Sequence, residues 1–352
     1  MQKGKRVKMF LNLMEIALST FRYKLFKHRT PLVLSMSVTS RCNLKCVYCY
    51  SAEDNLKAKD VPLEDVTSII DEFYKLGTRV IMLQGGEPLV HKNIVDIVNH
   101  VKSKQMYCAV TTNSVNFERY LDALIKVDQV QLSIDGNREI TDGYRGKGVY
   151  ESVVSAARLC HENKIPFHLH TVVTNTTTEE NTLKPLKEFA NKYRTYLNFC
   201  MPVPTGSARD KHLADNKQII EFYKLIKKGK KDGMPTNNSY HGIDSVIKWC
   251  EKYSYNDFIS SEDKEELAKY PKCIMGNLVC WLDSAGMLHP CAVHFGQKDF
   301  SYSIKEFGAK GAWEKLKNVP CHYCGCSSEF NNLFNLKMEP IINALKFVLK
   351  RK

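Results

Sequence analysis

From Pro31 onward the chain alternates short β-branched and aliphatic runs with stretches whose apolar positions recur at helical spacing. The runs Leu32–Val38, Arg79–Gln84, Met106–Thr112, Asp128–Ile134, Phe167–Val173 and Tyr196–Met201 predict six strands. Four sets of apolar residues between them predict helices with one buried face. These are Val66, Ile69, Ile70 and Phe73; Ile94, Ile97, Val98 and Val101; Leu121, Leu124 and Ile125; Val153, Val154 and Ala157. Strands that alternate with helices imply an α/β fold with parallel pairing through right-handed crossovers. Spacing alone suits a partial barrel and an open doubly wound sheet equally. The alternation ends near residue 207. Helices are expected over Lys217–Lys230 and near Gly242–Tyr253, with a turn-rich stretch (Gly233, Pro235, Asn237, Asn238) between them.

Both ends of the chain carry amphipathic patterns. Phe10, Met14, Ala17, Leu18, Phe21 and Leu25 form one apolar stripe, with Asn12, Glu15, Ser19 and Arg22 opposite. Pro340 suits a helix start, and Ile341, Ala344, Leu345 and Val348 continue as a second stripe. The plan is therefore a basic N-terminal helix (1–30), a core (31–206), a helical bridge (207–269), a small module (270–330) and a basic C-terminal helix (331–352).

Charge sharpens this picture. Net charge is +13, and residues 1–30 hold eight Lys or Arg against Glu15, while residues 331–352 hold five against Glu339. The ends thus supply +11, and the body is nearly neutral. Basic amphipathic helices read either as covers for their own domain or as membrane-surface elements. Near an anionic leaflet each basic residue contributes about 1 kcal/mol. A neutral body argues against a nucleic-acid partner, which would call for basic residues over a binding face.

The 13 cysteines change the picture most. No signal peptide is recognisable: Met9 to Phe21 carries Glu15, lacks a small-residue cleavage site and is followed by Arg22, Lys24, Lys27 and Arg29. No segment is long and apolar enough to span a bilayer. A cytoplasmic location is expected, with the inner membrane face as a docking surface if the ends bind lipid. Cysteines in such a chain read as metal ligands. Cys42, Cys46 and Cys49 follow the first predicted strand as C-x3-C-x2-C. Three thiolates suit three corners of an iron–sulfur cubane and leave one iron open to an external ligand. A zinc knuckle is the alternative, but it normally has four ligands in tighter pairs.

With Gly85-Gly86-Glu87-Pro88 after strand two, Thr111-Thr112-Asn113 after strand three and Ser133-Ile134-Asp135-Gly136 after strand four, this loop resembles the radical S-adenosylmethionine (SAM) superfamily. The resemblance covers about residues 31–206 and the C-terminal module. It implies a partial (β/α)6 TIM-type barrel holding a 4Fe–4S cluster and SAM, with a small C-terminal Fe–S module. It places Tyr48 near the adenine and Gly85, Gly86 and Glu87 at the SAM amino group. Asn113, Ser133, Asp135 and Arg145 fall where relatives contact ribose and the methionine carboxylate. Asn175 and Pro204-Thr205-Gly206 fit more weakly. Each of these is also an ordinary polar residue for a strand end or helix cap. The resemblance further implies reductive SAM cleavage, hydrogen abstraction and a flavodoxin- or ferredoxin-type electron donor. No catalytic side chain is expected, because the cofactors carry the chemistry.

Cys273, Cys280 and Cys291, with Asp283-Ser284-Ala285-Gly286 as hairpin turn chemistry, open a second cluster that continues as Cys321, Cys324 and Cys326. This resembles SPASM/Twitch auxiliary-cluster domains, with too few cysteines for two further clusters. Four of Cys273, Cys291, Cys321, Cys324 and Cys326 are the expected ligands of one auxiliary 4Fe–4S cluster. A structural zinc site is the alternative. Cys280 suits core packing as well as ligation, and Cys108, Cys160, Cys200 and Cys250 read as buried small hydrophobes. His289, His294 and His322 are expected near the cluster without ligating it. The substrate reading leans to a lipid or membrane-associated molecule on account of the basic ends. Peptide maturation, RNA modification and a non-catalytic scaffold are the alternatives.

Overall fold

A computed structural model describes residues 2–49, 60–201, 208–254, 257–260, 265, 268–294, 298–319, 321–325, 328–335 and 337. Cys326, Pro204-Thr205-Gly206 and the C-terminal stripe beginning at Ile341 lie outside the described residues.

All six predicted strands form, each within two residues of its expected bounds. They are β1 (Val33–Thr39), β2 (Val80–Gly85), β3 (Tyr107–Thr112), β4 (Gln129–Ser133), β5 (Phe167–Val172) and β6 (Leu197–Cys200). They pair in parallel, in chain order from β1 to β6. That order excludes a doubly wound sheet, whose strand order reverses at a switch point. The result is an open partial barrel. Its outer layer contains α2 (Leu63–Lys75), α3 (Ile94–Ser103), α4 (Leu121–Leu124), α5 (Arg138–Arg145), α6 (Val149–Glu162) and α7 (Glu180–Lys192). The predicted apolar faces are what these helices bury: Val66, Ile70 and Phe73 on α2, and Ile94, Ile97, Val98 and Val101 on α3. α4 is a single turn, and Ile125, expected to belong to its buried face, is exposed.

The free edge of β6 is covered rather than left open. Leu197 donates to Pro235 O at 2.8 Å and accepts from Asn237 N at 2.8 Å. The Asn238 side chain accepts from Phe199 N at 2.9 Å and donates to Phe199 O at 3.1 Å. The turn-rich stretch thereby satisfies an edge that would otherwise invite pairing with another chain. It lies between α8 (Asn216–Lys231) and α9 (Tyr240–Cys250), close to their predicted bounds.

At the other edge the sheet continues into the C-terminal module. After the two-residue β7 (Ile259–Ser260) come β8 (Val279–Leu282) and β9 (Met287–His289), the expected hairpin. Gly286 has φ +79°, and Asp283 Oδ1 accepts from Ala285 N and Met287 N, both at 2.9 Å. A left-handed turn position of this kind favours glycine. β8 pairs in parallel with β1, and β10 (Tyr302–Ser303) pairs with β9, so the described strands make one nine-stranded sheet. The sequence presented this region as a separate appendage; its hairpin is hydrogen-bonded to the barrel. α10 (Ile304–Lys315), β11 (Cys321–Tyr323) and α11 (Ser328–Phe334) complete the module, and β11 pairs with β7. Arg29 ties the module to the N-terminal segment, donating to Gly276 O at 2.7 Å and Trp313 O at 3.0 Å.

The N-terminal helix α1 (Gln2–Phe26) lies beneath the barrel. Tyr23 is buried, and with Ile16 it packs against Leu32, Val33, Val80 and Met82, at the N-terminal ends of β1 and β2.

Candidate functional site

The cluster loop leaves β1 at Thr39 and is held from below by the segment that leaves β2. Gly86 N donates to Thr39 O and Glu87 N to Arg41 O, both at 2.9 Å. A Cβ on Gly86 would sit 2.1 Å from Arg41 O and 2.6 Å from Ser40 O. A Cβ on Gly85, whose φ is +136°, would sit 2.2 Å from Thr39 O. The glycine pair is therefore required by the cluster loop's own backbone. The close approach seen at this pair is of one segment of chain to another. Arg41 fixes the other side of the loop, pairing with Asp60 at 2.7 Å and donating to Val90 O at 2.8 Å.

Within the loop, Leu44 N donates to Cys42 Sγ at 3.4 Å and Cys49 N to Cys46 O at 3.2 Å. Asn113, at the end of β3, donates to Asn43 Oδ1 at 2.8 Å and approaches Cys42 Sγ at 3.8 Å. The three thiols are electrostatic neighbours, since Cys42 and Cys46 each respond to Cys49. Burial pushes Cys42 up to about 11 and Cys46 up to about 12, against which the Arg145 guanidinium favours the Cys46 thiolate. Thiols this weakly acidic ionise when a metal replaces the proton. The donor set fits an iron–sulfur cluster.

Glu87 is 1% exposed. Its Oε1 accepts from Leu89 N at 3.0 Å and Thr112 Oγ1 at 2.8 Å, and Oε2 from Asn113 N at 2.6 Å. Burial raises its pKa to about 7 despite these donors. Three of the roughly four acceptor positions of the carboxylate are thus engaged. The side chain ties the end of β2 to the end of β3, leaving Oε2 room for one more donor. Glu87→Gln should accordingly weaken folding as well as ligand binding. An amide cannot accept at both ends, so the Asn113 N–H or the Leu89 and Thr112 donors lose their acceptor, at about 1–3 kcal/mol. A denaturant midpoint unchanged from wild type would remove this tying role.

Asp135, after β4, is 0% exposed and forms a two-bond ion pair with Arg145, at 2.7 and 3.1 Å. Tyr48 Oη donates to the same carboxylate, 2.9 Å from Oδ2. Tyr48, Asp135 and Arg145 thus form one buried knot between the cluster loop and α5, and Tyr144 packs on Tyr48 with ring centroids 5.8 Å apart. Ser133 stands on the inner face at the end of β4, in register with His170. Tyr48, Gly85, Gly86, Glu87, Asn113, Ser133, Asp135 and Arg145 gather at the C-terminal ends of the strands, where parallel barrels place their sites.

Residues 36–188 match the Radical SAM superfamily. An AdoMet-dependent heme synthase of Methanosarcina barkeri is 24% identical over 271 residues, 74% of this chain and 76% of that protein. Mycofactocin maturase MftC of Mycolicibacterium smegmatis is 24% identical over 294 residues, 81% of this chain and 70% of that protein. Residues 36–188 of this chain are a radical SAM domain. The fold agrees: Streptococcus suis SuiB, solved with its precursor peptide SuiA, superposes with a TM-score of 0.66 at 16% identity, covering 88% of this chain and 70% of that one. Radical SAM enzymes work with a 4Fe–4S cluster and SAM, the cofactors that the cysteine loop and its surroundings fit.

A second group of cysteines is drawn from elements distant in sequence. Cys321 responds electrostatically to Cys273, Cys324 and Cys291, Cys291 to Cys324 and Cys273, and Cys273 to Cys324. The Cys273 N–H donates to His322 O at 3.0 Å, which brings Cys273 beside β11. Burial first, then mutual repulsion, holds Cys273 up at about 12 and raises Cys291 and Cys321 as well. Cys280 stands apart: it is fully buried, its Sγ lies 4.0 Å from Val33 O, and its charged neighbour is Arg29. Its place is in the core. His289 bonds Asp283 Oδ2 at 2.9 Å and Ser301 Oγ at 2.8 Å, holding the hairpin. His294 is buried against Phe300. Among the described residues, no three His, Cys, Asp or Glu side chains converge tightly enough for a single metal ion.

The sequence reading missed the polar inner face of the barrel. Gln129, Gln131, His168, His170, Asn198 and Cys200 project inward from β4 to β6, while Val130, Leu132, Leu169, Leu197 and Phe199 join the core. Burial lowers His168 to about 3 and His170 to about 4, so both imidazoles are neutral. Cys200, expected as a packed hydrophobe, has its Sγ 3.1 Å from His170 Nε2 and is half-buried. The period-two polarity of these strands was the available signal. Cys108, Cys160 and Cys250 are buried as expected.

Proposed function

We propose that Cys42, Cys46 and Cys49 ligate a SAM-binding 4Fe–4S cluster and that Cys273, Cys291, Cys321 and Cys324 ligate an auxiliary one. The observation that carries the reading is the docking of Gly85-Gly86-Glu87 beneath the three-cysteine loop, because it fixes that loop at the barrel's mouth. When bound, the first cluster supplies the electron that cleaves SAM to a 5′-deoxyadenosyl radical able to take hydrogen from an unactivated C–H bond. The chain's own residues position and shield. Tyr48, Tyr144 and the Asp135–Arg145 pair wall the loop from solvent, and Glu87 keeps one acceptor for the SAM ammonium. An ammonium there draws Glu87 back to its charged form. The proposed division of labour is a core over 31–206, a bridge over 207–269 and a cluster module over 270–330, with a flavodoxin- or ferredoxin-type protein as electron donor.

Reduced protein incubated anaerobically with SAM should release 5′-deoxyadenosine. Its complete absence with a loaded cluster would count against the enzyme reading. Two cubanes correspond to about eight irons per chain, and Cys321→Ala should leave about four. Cys280→Ser should keep them all. Equal iron in the Cys321 variant would remove Cys321 from the ligand set.

For the substrate, the reading is a membrane-associated molecule, supported by the outward apolar stripe of α1. That helix lies at the barrel's base, opposite the mouth, which favours a substrate presented near a membrane surface over an acyl chain drawn directly from it. Peptide maturation is the second reading. It is supported by the likeness to a mycofactocin maturase and to the SuiB fold.

A further inference from the structure

α1 packs against the barrel through the face opposite to its apolar stripe. Ile16, Thr20 and Tyr23 face the protein, with Thr20 and Tyr23 buried. The stripe faces out: Met14 is 53% exposed, Leu18 46%, Phe21 53% and Leu25 58%, and Phe26 beside them is 74% exposed. Five of the eight exposed large hydrophobics among the described residues therefore lie on this one helix. Closure of the barrel does not explain it. A patch of this kind marks an interaction surface.

The surroundings of the stripe select the occupant. Glu15, the only acid of residues 1–30, is neutralised by a salt bridge to Arg79. Lys24 titrates below its ordinary value because it is partly buried and stands beside the ammonium groups of Lys27 and Lys337. Three lysines thus crowd the end of the helix. Beside Leu18, a cavity of about 300 Å³ opens between α1 and the loop before β2, where Arg22, His28, Lys75 and Arg79 face Glu15. No described helix is long and apolar enough to cross a membrane. Exposed aliphatic and aromatic side chains flanked by cations match the acyl boundary and headgroups of an anionic leaflet.

We propose that the outward face of α1 is a docking surface for an anionic lipid bilayer. The stripe enters the headgroup boundary, Lys24, Lys27 and Lys337 meet the surface charge, and the basic cavity takes a lipid phosphate. Docked in this way, the enzyme presents its barrel mouth away from the bilayer. The inference extends the substrate reading above and stands independently of the radical chemistry.

The test uses the full-length, anaerobically reconstituted protein with phosphatidylcholine vesicles, with and without phosphatidylserine. Co-sedimentation should require phosphatidylserine and fall at high salt. Lys24→Glu with Lys27→Glu should weaken binding by roughly tenfold or more. Phe21→Gln with Leu25→Gln should weaken it comparably, by removing the inserted apolar area. Both variants should keep wild-type iron content and 5′-deoxyadenosine release, which separates docking from catalysis. A protein that stays in the supernatant with phosphatidylserine, or that binds phosphatidylcholine equally, overturns the proposal. A dimer dissolved by the Phe21/Leu25 variant, with vesicle binding unchanged, would assign the stripe to a second copy of the chain instead.

Discussion

Cys46→Ala should reduce 5′-deoxyadenosine release from SAM to the background of the cluster-free protein while leaving about four irons per chain. The reason lies in the number of ligands. The loop offers three thiols, and two cannot hold a cubane against the exchange and oxidation that an exposed corner invites. Cys46 feels the Arg145 guanidinium, but Arg145 keeps its two bonds to Asp135 when the thiol is removed, so no buried cation is stranded. The backbone loses nothing, since the bond that closes the turn runs from Cys49 N to the Cys46 carbonyl, which alanine retains. Loss of activity with an unchanged denaturation profile is therefore the expected signature. Iron analysis separates the outcomes. If the variant still cleaves SAM, the three-cysteine loop is not the catalytic centre. If it holds no iron at all, the two sites do not load independently.

Gly86→Ala should cost the same four irons without touching any ligand. An added methyl would lie 2.1 Å from the Arg41 carbonyl oxygen and 2.6 Å from that of Ser40. Both are backbone atoms of a loop already fixed by the Arg41–Asp60 pair, so neither can give way cheaply. Overpacking of this severity costs about 3 kcal/mol or more. The loop, not the barrel, should absorb it: the C-terminal cluster stays, the visible spectrum halves and SAM cleavage is lost. Gly143→Ala is the matching control. Nothing lies within 4 Å of its added methyl, and it sits inside α5, where alanine gains about 0.5–1 kcal/mol over glycine. If Gly86→Ala binds its full iron, the loop is more compliant than its hydrogen bonds suggest.

Much of this protein was legible without coordinates. Runs of β-branched and aliphatic residues located β1 to β6, and apolar residues at helical spacing located α2 and α3, because burial is written locally. The C-x3-C-x2-C run and the Gly85-Gly86-Glu87-Pro88 segment were legible for a similar reason: both are contiguous. Other features depended on contacts between residues far apart in sequence, which no local period records. Parallel pairing of β8 with β1, 246 residues apart at Val33 and Val279, merged the C-terminal hairpin into the barrel sheet. Four thiols from Cys273 to Cys324 were gathered, and Cys280 was left in the core, by the way β8, β9 and β11 fold around them. The orientation of α1 was decided in the same way. An amphipathic helix has one stripe that the sequence displays, and the sequence leaves open whether its own domain or a membrane covers that stripe. Here Tyr23 found Leu32 and Val33 on the other face, and the partner that would cover the stripe is not part of the described chain. A helix's period says which residues share a face; only the tertiary packing decides which face is turned to the protein.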